Sequence, residues 1–201
     1  DILKFSAWVL VANISSKLYN ATDTVIIGAI PELSTIAAAV YSVGITFPNI
    51  MFSLAQVMPS LFSPMVNRRI FQKAPDHEIS DLVIKVGRAQ CFVVALFATG
   101  FIAFGKPFLH WYAGPEYWEA YWVAILILIP NCIPLVQSVA RSVLEAKNLH
   151  RFRALLYLCI AIINVLFTLP MVRRFGIIGA AIATSVSFFL GHGLILNLYY
   201  W

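Results

Sequence analysis

Six polar residues recur through the first long apolar stretch of the chain, three or four residues apart from one helical turn to the next, as is typical of one face of an α-helix. They are Asn13, Ser16, Lys17, Asn20, Asp23 and Thr24. At about 100° per residue these positions share one arc, and Trp8, Val11 and Leu18 lie on the opposite side. An ionised side chain at the centre of a bilayer costs a few kcal/mol or more, so this face must contact partner helices or water.

Two interpretations of this polar face are open. Asparagine and serine side chains hydrogen-bond between membrane helices, at about 0.6 kcal/mol each, and this explanation is sufficient for Asn13 and Ser16. Lys17 and Asp23 are ionisable, however, and ionisable groups within a membrane mark hydrated pathways. We therefore predict that the face lines a cavity, whose residues are Asn13, Ser16, Lys17 and Asn20 of the first span and Asn49 and Gln56 of the second.

The remaining chemistry-bearing residues are isolated. His192, between two glycines, is either a proton relay or, as we favour, a packing residue. The three cysteines lie in separate apolar runs without the spacing of a metal site or a disulfide pair. No Walker, zinc-protease or nucleophile-elbow motif occurs, and acidic residues other than Asp23 lie at the chain start or in predicted loops. We predict no enzyme activity, no metal site and no cofactor.

The elements that position these residues are membrane helices. The 201-residue chain is 61% hydrophobic and 11% charged, whereas a soluble domain is about 45–50% apolar and about 25% charged. Its apolar runs are continuous and reach the roughly 20 residues that a membrane helix needs, without the alternation of barrel strands. We predict an all-α, polytopic transmembrane helical bundle with six spans, at residues 2–30, 33–66, 82–104, 120–144, 154–172 and 177–201.

Charged and aromatic segments separate the predicted spans. Three loops and one tight turn are expected at Asn67–Asp81, Phe108–Glu119, Glu145–Arg153 and Arg173–Gly176. Three prolines within the second span are expected to kink it, because proline removes a backbone hydrogen bond. Asn131, between Pro130 and Pro134, is predicted to bond carbonyls that these prolines leave free.

The distribution of lysine and arginine orients the bundle. With a cytoplasmic N-terminus, ten of these residues lie on or near the inside, and only Lys106, Arg173 and Arg174 lie outside. Both termini are therefore predicted to be cytoplasmic. The net charge of +5 then reflects topology and anionic headgroups, and no nucleic-acid partner is predicted. Because the chain begins at Asp1 rather than at a methionine, we expect it to be part of a longer protein.

Five segments occur in an order that matches a known family. They are Asp23–Gly28, Ile36–Val43, Gly114–Tyr117, Val143–Lys147 and Phe175–Thr184. Over nearly the whole chain they resemble the polysaccharide transporter (O-antigen flippase) family of the multidrug/oligosaccharidyl-lipid/polysaccharide exporter superfamily. The resemblance implies the C-terminal six-helix lobe of a two-lobed transporter in the bacterial inner membrane. Its implied partners are the lipid bilayer and the N-terminal lobe of the same protein.

The resemblance also implies a function. Members of this family are expected to move an undecaprenyl-linked oligosaccharide, the repeat unit of an O-antigen or exopolysaccharide, from the cytoplasmic to the periplasmic leaflet. Lys17 would attract the pyrophosphate of this lipid-linked oligosaccharide, and Asp23, Asn164 and Thr184 would form a site for a coupling Na⁺ or H⁺. Two other functions are open: a cation-coupled exporter of drugs or small molecules from the same superfamily, and a membrane scaffold that transports nothing.

Overall fold

The computed structural model describes residues 10, 13, 14, 17, 22–30, 35–139, 143 and 150–195. The regular elements in this part of the chain are helical, as predicted: α1 (Thr35–Ala55), α2 (Val57–Phe71), α3 (Asp76–Ala113), a 3₁₀ turn (Pro115–Tyr117), α4 (Trp118–Val136), α5 (His150–Phe188) and a π-helical turn (Phe189–Ile195). Residues 22–29 form a helical segment that precedes α1.

Four helical stretches of the described residues are long and apolar enough to cross a membrane: Thr35–Phe71, His77–Ala113, Pro115–Val136 and Tyr157–Gly191. Only 28–50% of the most apolar part of each stretch is buried within the bundle. The rest of this apolar surface requires lipid or a partner to cover it. The chain is therefore a multi-pass membrane protein, and the number of six spans stays a prediction.

The first of these stretches is interrupted at Gln56, which separates α1 from α2. In a continuous helix the carbonyl of Ala55 would accept from the N–H of residue 59, but Pro59 has none. Pro48 and Pro64 lie inside α1 and α2, which continue through them. Of the three prolines expected to kink this span, the structure therefore places the break beside Pro59.

Helices also extend into all three predicted loops, which corrects the loop boundaries; α5 begins at His150, within the predicted Glu145–Arg153 loop. α2 continues to Phe71 and α3 begins at Asp76, so only residues 72–75 of the predicted Asn67–Asp81 loop connect the two helices. At its other end α3 passes through Pro107 and stops before Gly114, whose φ of 100° is outside the helical range. Charged and aromatic side chains favour the membrane surface but do not end a helix, whereas a left-handed glycine does.

α5 reverses its direction at Gly176, where φ is 59° and ψ is −140°. Across the reversal, Asn164 Nδ2 lies 3.0 Å from Thr184 Oγ1, and a Cβ built on Gly179 would lie 2.0 Å from the Met171 carbonyl oxygen. Residues at similar distances from Gly176 thus face each other, so residues 150–175 and 177–188 form two antiparallel limbs. This geometry confirms the predicted turn at Arg173–Gly176, and glycine is the residue that tolerates its positive φ.

Polar side chains from other helices bond carbonyls that proline leaves without a donor. Pro130 has no N–H for the carbonyl of Leu126, and Ser185 of α5 donates to that oxygen. Asn131 was predicted to bond the carbonyls that these prolines leave free, and it is buried. At the Leu126 carbonyl, however, the donor is Ser185, because the second limb of α5 packs against this side of α4. In the same way, Gln90 Nε2 donates to the Ala55 carbonyl oxygen at 2.8 Å.

The buried apolar side chains form two separate cores. The main core joins the 22–30 segment to α1, α3, α4 and α5 and includes Ile27, Phe101 and Leu128. The small core consists of Val66, Val86 and Val139, surrounded by partly buried residues: Phe62, Ile70, Leu82, Val83 and Val143. The main core holds the helices that carry the candidate site.

Candidate functional site

A buried group of polar side chains, here called the Asp23 cluster, surrounds a carboxylate that is only 4% exposed. Tyr41 Oη donates to Asp23 Oδ2 at 2.8 Å, and Thr168 Oγ1 donates to Oδ1 at 3.1 Å. Thr184 Oγ1 also donates to Oδ2, and Asn164 Nδ2 donates in turn to Thr184 Oγ1 at 3.0 Å. Asn164 and Thr168 are fully buried, so the cluster is sealed within the helical bundle.

The fold brings this cluster together from three parts of the chain. Asp23 lies in the helical segment 22–29, Tyr41 lies in α1, and the other three residues lie in the two limbs of α5. Asn164 and Thr168 are one helical turn apart and therefore share a face. The reversal at Gly176 then places Thr184 opposite Asn164, although 20 residues separate them.

Asp23, Asn164 and Thr184 were predicted from the sequence to lie in one site, and the structure places them within one hydrogen-bond network. Tyr41 and Thr168 were not identified. The position of Thr168 one turn after Asn164 was an available signal. For Tyr41 there was none, because its contact with Asp23 depends on how α1 crosses the preceding helix.

The oxygen atoms of this cluster are suited to a small cation or a proton. Asn164 Oδ1 is buried and has no hydrogen-bond partner among the described residues. Carboxylate, amide and hydroxyl oxygens are the ligands that hard cations prefer. In transporters, coupling ions commonly bind within the bundle near the membrane centre. The set of Asp23, Asn164, Thr168 and Thr184 therefore has the right donor chemistry for Na⁺ or H⁺.

The polar face of the first predicted span is divided between two environments. Asn13 and Lys17 are exposed, whereas Asp23 is buried in its cluster. Ser16 and Asn20, the other residues predicted to line the cavity, lie outside the described residues. Asp23 takes its hydrogen bonds from hydroxyl groups, so its surroundings differ from those of the exposed Lys17.

A second row of polar residues, here called the α1 stripe, runs along α1 and ends at the helix break. Its members are spaced by four, three, four and three residues: Ser42, Thr46, Asn49, Ser53 and Gln56. The first four are exposed and Gln56 is half-buried. The buried residues of α1, such as Gly44, Met51 and Ala55, lie on the opposite side of the helix.

The α1 stripe contains two kinds of polar group. The hydroxyls of Ser42, Thr46 and Ser53 donate to carbonyl oxygens four residues earlier, at 2.8–2.9 Å. Such internally bonded hydroxyls are tolerated beside lipid or another helix. The side-chain amides of Asn49 and Gln56 have donors and acceptors that need a polar neighbour. The two amides were predicted from the sequence and the three hydroxyls were not, although their three-and-four spacing was an available signal.

Comparison with known proteins gives a distant similarity. Over 188 residues the chain is 23% identical to the probable low-salt glycan biosynthesis flippase Agl15 of Haloferax volcanii. The aligned region is 94% of this chain but 39% of that protein, so the chain spans well under half of its relative's length. No family model matches the chain, and no solved structure matches it. The similarity supports a flippase-like membrane protein.

Proposed function

We propose that the protein is one lobe of a transporter that flips a lipid-linked glycan across a membrane. The observation that carries this proposal is the α1 stripe, because polar groups follow one side of an apolar helix while the other side is buried in the main core. In a bilayer such a side requires water, a polar ligand or a partner helix. The similar protein of Haloferax volcanii is named as a probable glycan biosynthesis flippase, which supports a glycan as the cargo.

The side chains at the exposed polar positions match the chemistry of this cargo. Asn49 and Gln56 offer amide donors and acceptors to sugar hydroxyls, which need partners of both kinds. Lys17 is exposed and supplies positive charge for the pyrophosphate that joins sugar to lipid. The polyprenyl tail would stay in the hydrocarbon while the sugar moves through the hydrated cavity. The cost of transferring polar groups into an apolar medium is thereby avoided.

The proposed architecture has six spans in this lobe, a second lobe facing the α1 stripe, and cytoplasmic termini. The reversal of α5 supports the number of six spans, since it gives two antiparallel limbs within one apolar stretch. An exposed polar stripe also needs a facing surface to enclose a cavity. Transport would run outward, towards the leaflet opposite the cytoplasm, and the undecaprenyl-linked unit of a bacterial surface polysaccharide is the substrate we infer.

The Asp23 cluster is the site we propose for a coupling cation. Its buried carboxylate and the unpartnered Asn164 Oδ1 provide oxygen ligands, and Tyr41 links the cluster to the helix that carries the α1 stripe. Binding of Na⁺ or H⁺ at Asp23 would compete with hydrogen bonds that the hydroxyls now donate to it. Cation binding and the packing of α1 would then be coupled through shared contacts.

The test of the function uses the full-length protein in proteoliposomes with a fluorescent polyprenyl-diphosphate oligosaccharide. We expect Lys17→Ala to slow flipping about tenfold, as loss of about 1.4 kcal/mol of charge interaction would, and Lys17→Arg to retain most of it. The exposed apolar neighbour of Asn49 provides a matched control, so Asn49→Leu should slow flipping and Ile50→Leu should not. Equal rates in all four variants would refute the proposal, and efflux of cationic dyes without glycan transport would favour the drug exporter.

A further inference from the structure

A buried polar layer lies between the two cores, and its central residue is Gln90 of α3. Gln90 is 1% exposed, and its Nε2 donates both to the carbonyl of Ala55, at 2.8 Å, and to that of Leu135, at 2.9 Å. One turn later along α3, Val94 belongs to the main core, and one turn earlier, Val86 belongs to the small core. Gln90 thus marks the boundary between them.

Both helices beside α3 are interrupted at this boundary. α1 ends at Ala55 and α4 ends at Val136. Gln56, directly after α1, keeps a helical φ of −72° and ψ of −13°, whereas Gln137, directly after α4, departs from it with a φ of −84° and a ψ of 6°. α3 alone of these three runs through the layer without a break. Because Pro59 cannot supply the N–H that the Ala55 carbonyl would receive in a continuous helix, the Gln90 side chain replaces that backbone donor.

The segments beyond this boundary form a unit with its own packing. They are α2, residues 76–89 of α3, and the described residues after the break in α4. Each contributes one fully or nearly fully buried valine to the small core: Val66, Val86 and Val139. We call this unit the sub-bundle. It is joined to the main core by continuous α3, by the hydrogen bonds of Gln90, and by backbone hydrogen bonds on either side of Gln56, from Gln56 to Phe52 and from Ser60 to Gln56.

The polar layer itself is incompletely bonded. Gln90 Oε1 and Ser138 Oγ are both buried, and neither has a hydrogen-bond partner within the described part of the chain. A buried polar group without a partner raises the free energy of the conformation that contains it. The layer between the cores is therefore less stabilised by hydrogen bonds than a fully bonded polar layer would be.

We propose that Gln90 is the pivot of a hinge about which the sub-bundle tilts against the main core. A side-chain donor with rotatable bonds can follow the Ala55 carbonyl as the α1–α2 angle changes, which a backbone N–H in a helical ladder cannot do. The bend therefore occurs without leaving that carbonyl unpaired. This inference concerns the lobe itself and does not depend on a glycan being the cargo.

The experiment measures distances in the full-length protein in lipid nanodiscs, with Cys91, Cys132 and Cys159 replaced by alanine. Spin labels at Arg68→Cys of α2 and Ile129→Cys of α4 report the tilt, since both positions are exposed and lie on opposite sides of the layer. In the labelled protein that retains Pro59 we expect a broad or bimodal distribution of the distance between the two labels. In the Pro59→Ala variant, which restores the missing N–H, we expect a distribution at least twofold narrower. Pro64→Ala is the matched control, because it restores a bond within α2 and should leave the width unchanged.

A second measurement tests the role of Gln90 directly. Gln90→Leu should lower the melting temperature by about 2–4 °C, and by less than half as much in the Pro59→Ala background, where residue 59 donates to the Ala55 carbonyl. If Gln90→Leu lowers the melting temperature equally with and without Pro59→Ala, the link between Gln90 and Pro59 is overturned. A parent distribution as narrow as that of Pro59→Ala, or an equal narrowing by Pro64→Ala, would overturn the hinge, even if Gln90→Leu fails to fold.

Discussion

At the scale of single residues, the Thr184 hydroxyl organises the Asp23 cluster. Its oxygen accepts a hydrogen bond from Asn164, so its own hydrogen must be donated elsewhere, and Asp23 is the acceptor. Tyr41 and Thr168 donate to the same carboxylate. Asp23 is therefore the common acceptor of three buried hydroxyl groups, which would lack this hydrogen-bond acceptor without it.

The substitution Asp23→Asn follows from this arrangement. An amide has one acceptor oxygen where the carboxylate has two, so at least one hydroxyl loses its acceptor, and the free energy of unfolding should fall by about 1–3 kcal/mol. If the cluster binds Na⁺, replacing K⁺ with Na⁺ should raise the melting temperature of the parent but not of Asp23→Asn. This is measured by thermal denaturation of the detergent-solubilised full-length protein.

The control for this measurement is Ser187→Ala. Ser187 is also buried in α5, but its hydroxyl donates to the Ala183 carbonyl, so the variant should keep the Na⁺ effect. A Na⁺ effect that survives in Asp23→Asn would place the ion elsewhere. Equal melting temperatures of the parent in Na⁺ and K⁺ would contradict selective Na⁺ binding at the cluster.

The sequence predicted the polar groups of this site better than their surroundings. Asp23, Asn164 and Thr184 were identifiable because carboxylate and amide groups are rare and costly in apolar segments. The burial of Asp23 beside the exposed Lys17 was not predictable, because one helix face six residues long can meet two environments. That division depends on where α1 and α5 cross the first span, and helix periodicity contains no such information.

At the scale of helices, α1 is defined by what each of its sides contacts. Gly44 lies on the buried side, where a Cβ would lie 2.8 Å from Val123 Cβ and 3.0 Å from the Ala120 carbonyl oxygen. α1 and α4 therefore approach each other through the missing side chain of this glycine. The approach fixes the orientation of α1 and, with it, the direction in which the α1 stripe faces.

Gly44→Ala should consequently destabilise the lobe, by about 1–3 kcal/mol, because the new methyl group overlaps a β-branched side chain and backbone. Gly100 of α3 is a matched control, since a Cβ there would meet nothing within 4 Å. Gly100→Ala should stabilise by up to about 1 kcal/mol through its better helix propensity. Equilibrium unfolding of both variants in mixed micelles compares them, and equal effects would argue against close packing of α1 on α4.

Helix existence was predictable from the sequence, but helix ends were not. Continuous apolar runs required membrane helices, and four helical stretches of the described residues are long and apolar enough to cross a membrane. The ends lie elsewhere than predicted because capping geometry sets them, at Pro75 before α3 and at Gly114 after it. At the break, the Ala55 carbonyl that Pro59 leaves without a donor is bonded by Gln90, 35 residues after Ala55. Such a distant partner is invisible to local sequence patterns.

At the scale of the whole molecule, the described residues have two kinds of uncovered surface. Large apolar side chains such as Leu96 and Phe104 are 65–71% exposed and suit lipid. The α1 stripe is also uncovered but polar, and lipid cannot satisfy the amide of Asn49. A helical bundle with these two surfaces fits a protein that meets lipid on one side and water or a polar partner on another.

This distinction predicts a labelling pattern along α1 in the full-length protein in sealed vesicles. Single cysteines at positions 42, 46, 49 and 53 should react with a water-soluble maleimide at least tenfold faster than cysteines at 36, 50 and 54, because thiolates form readily only in contact with water. Ile36, Ile50 and Leu54 are also exposed on the surface of the bundle, at 44–62%, so exposure alone cannot produce the difference. Uniformly slow labelling at all seven positions would instead indicate a dry interface with a partner helix, as the scaffold alternative requires. The α1 stripe would then no longer support a hydrated transport pathway.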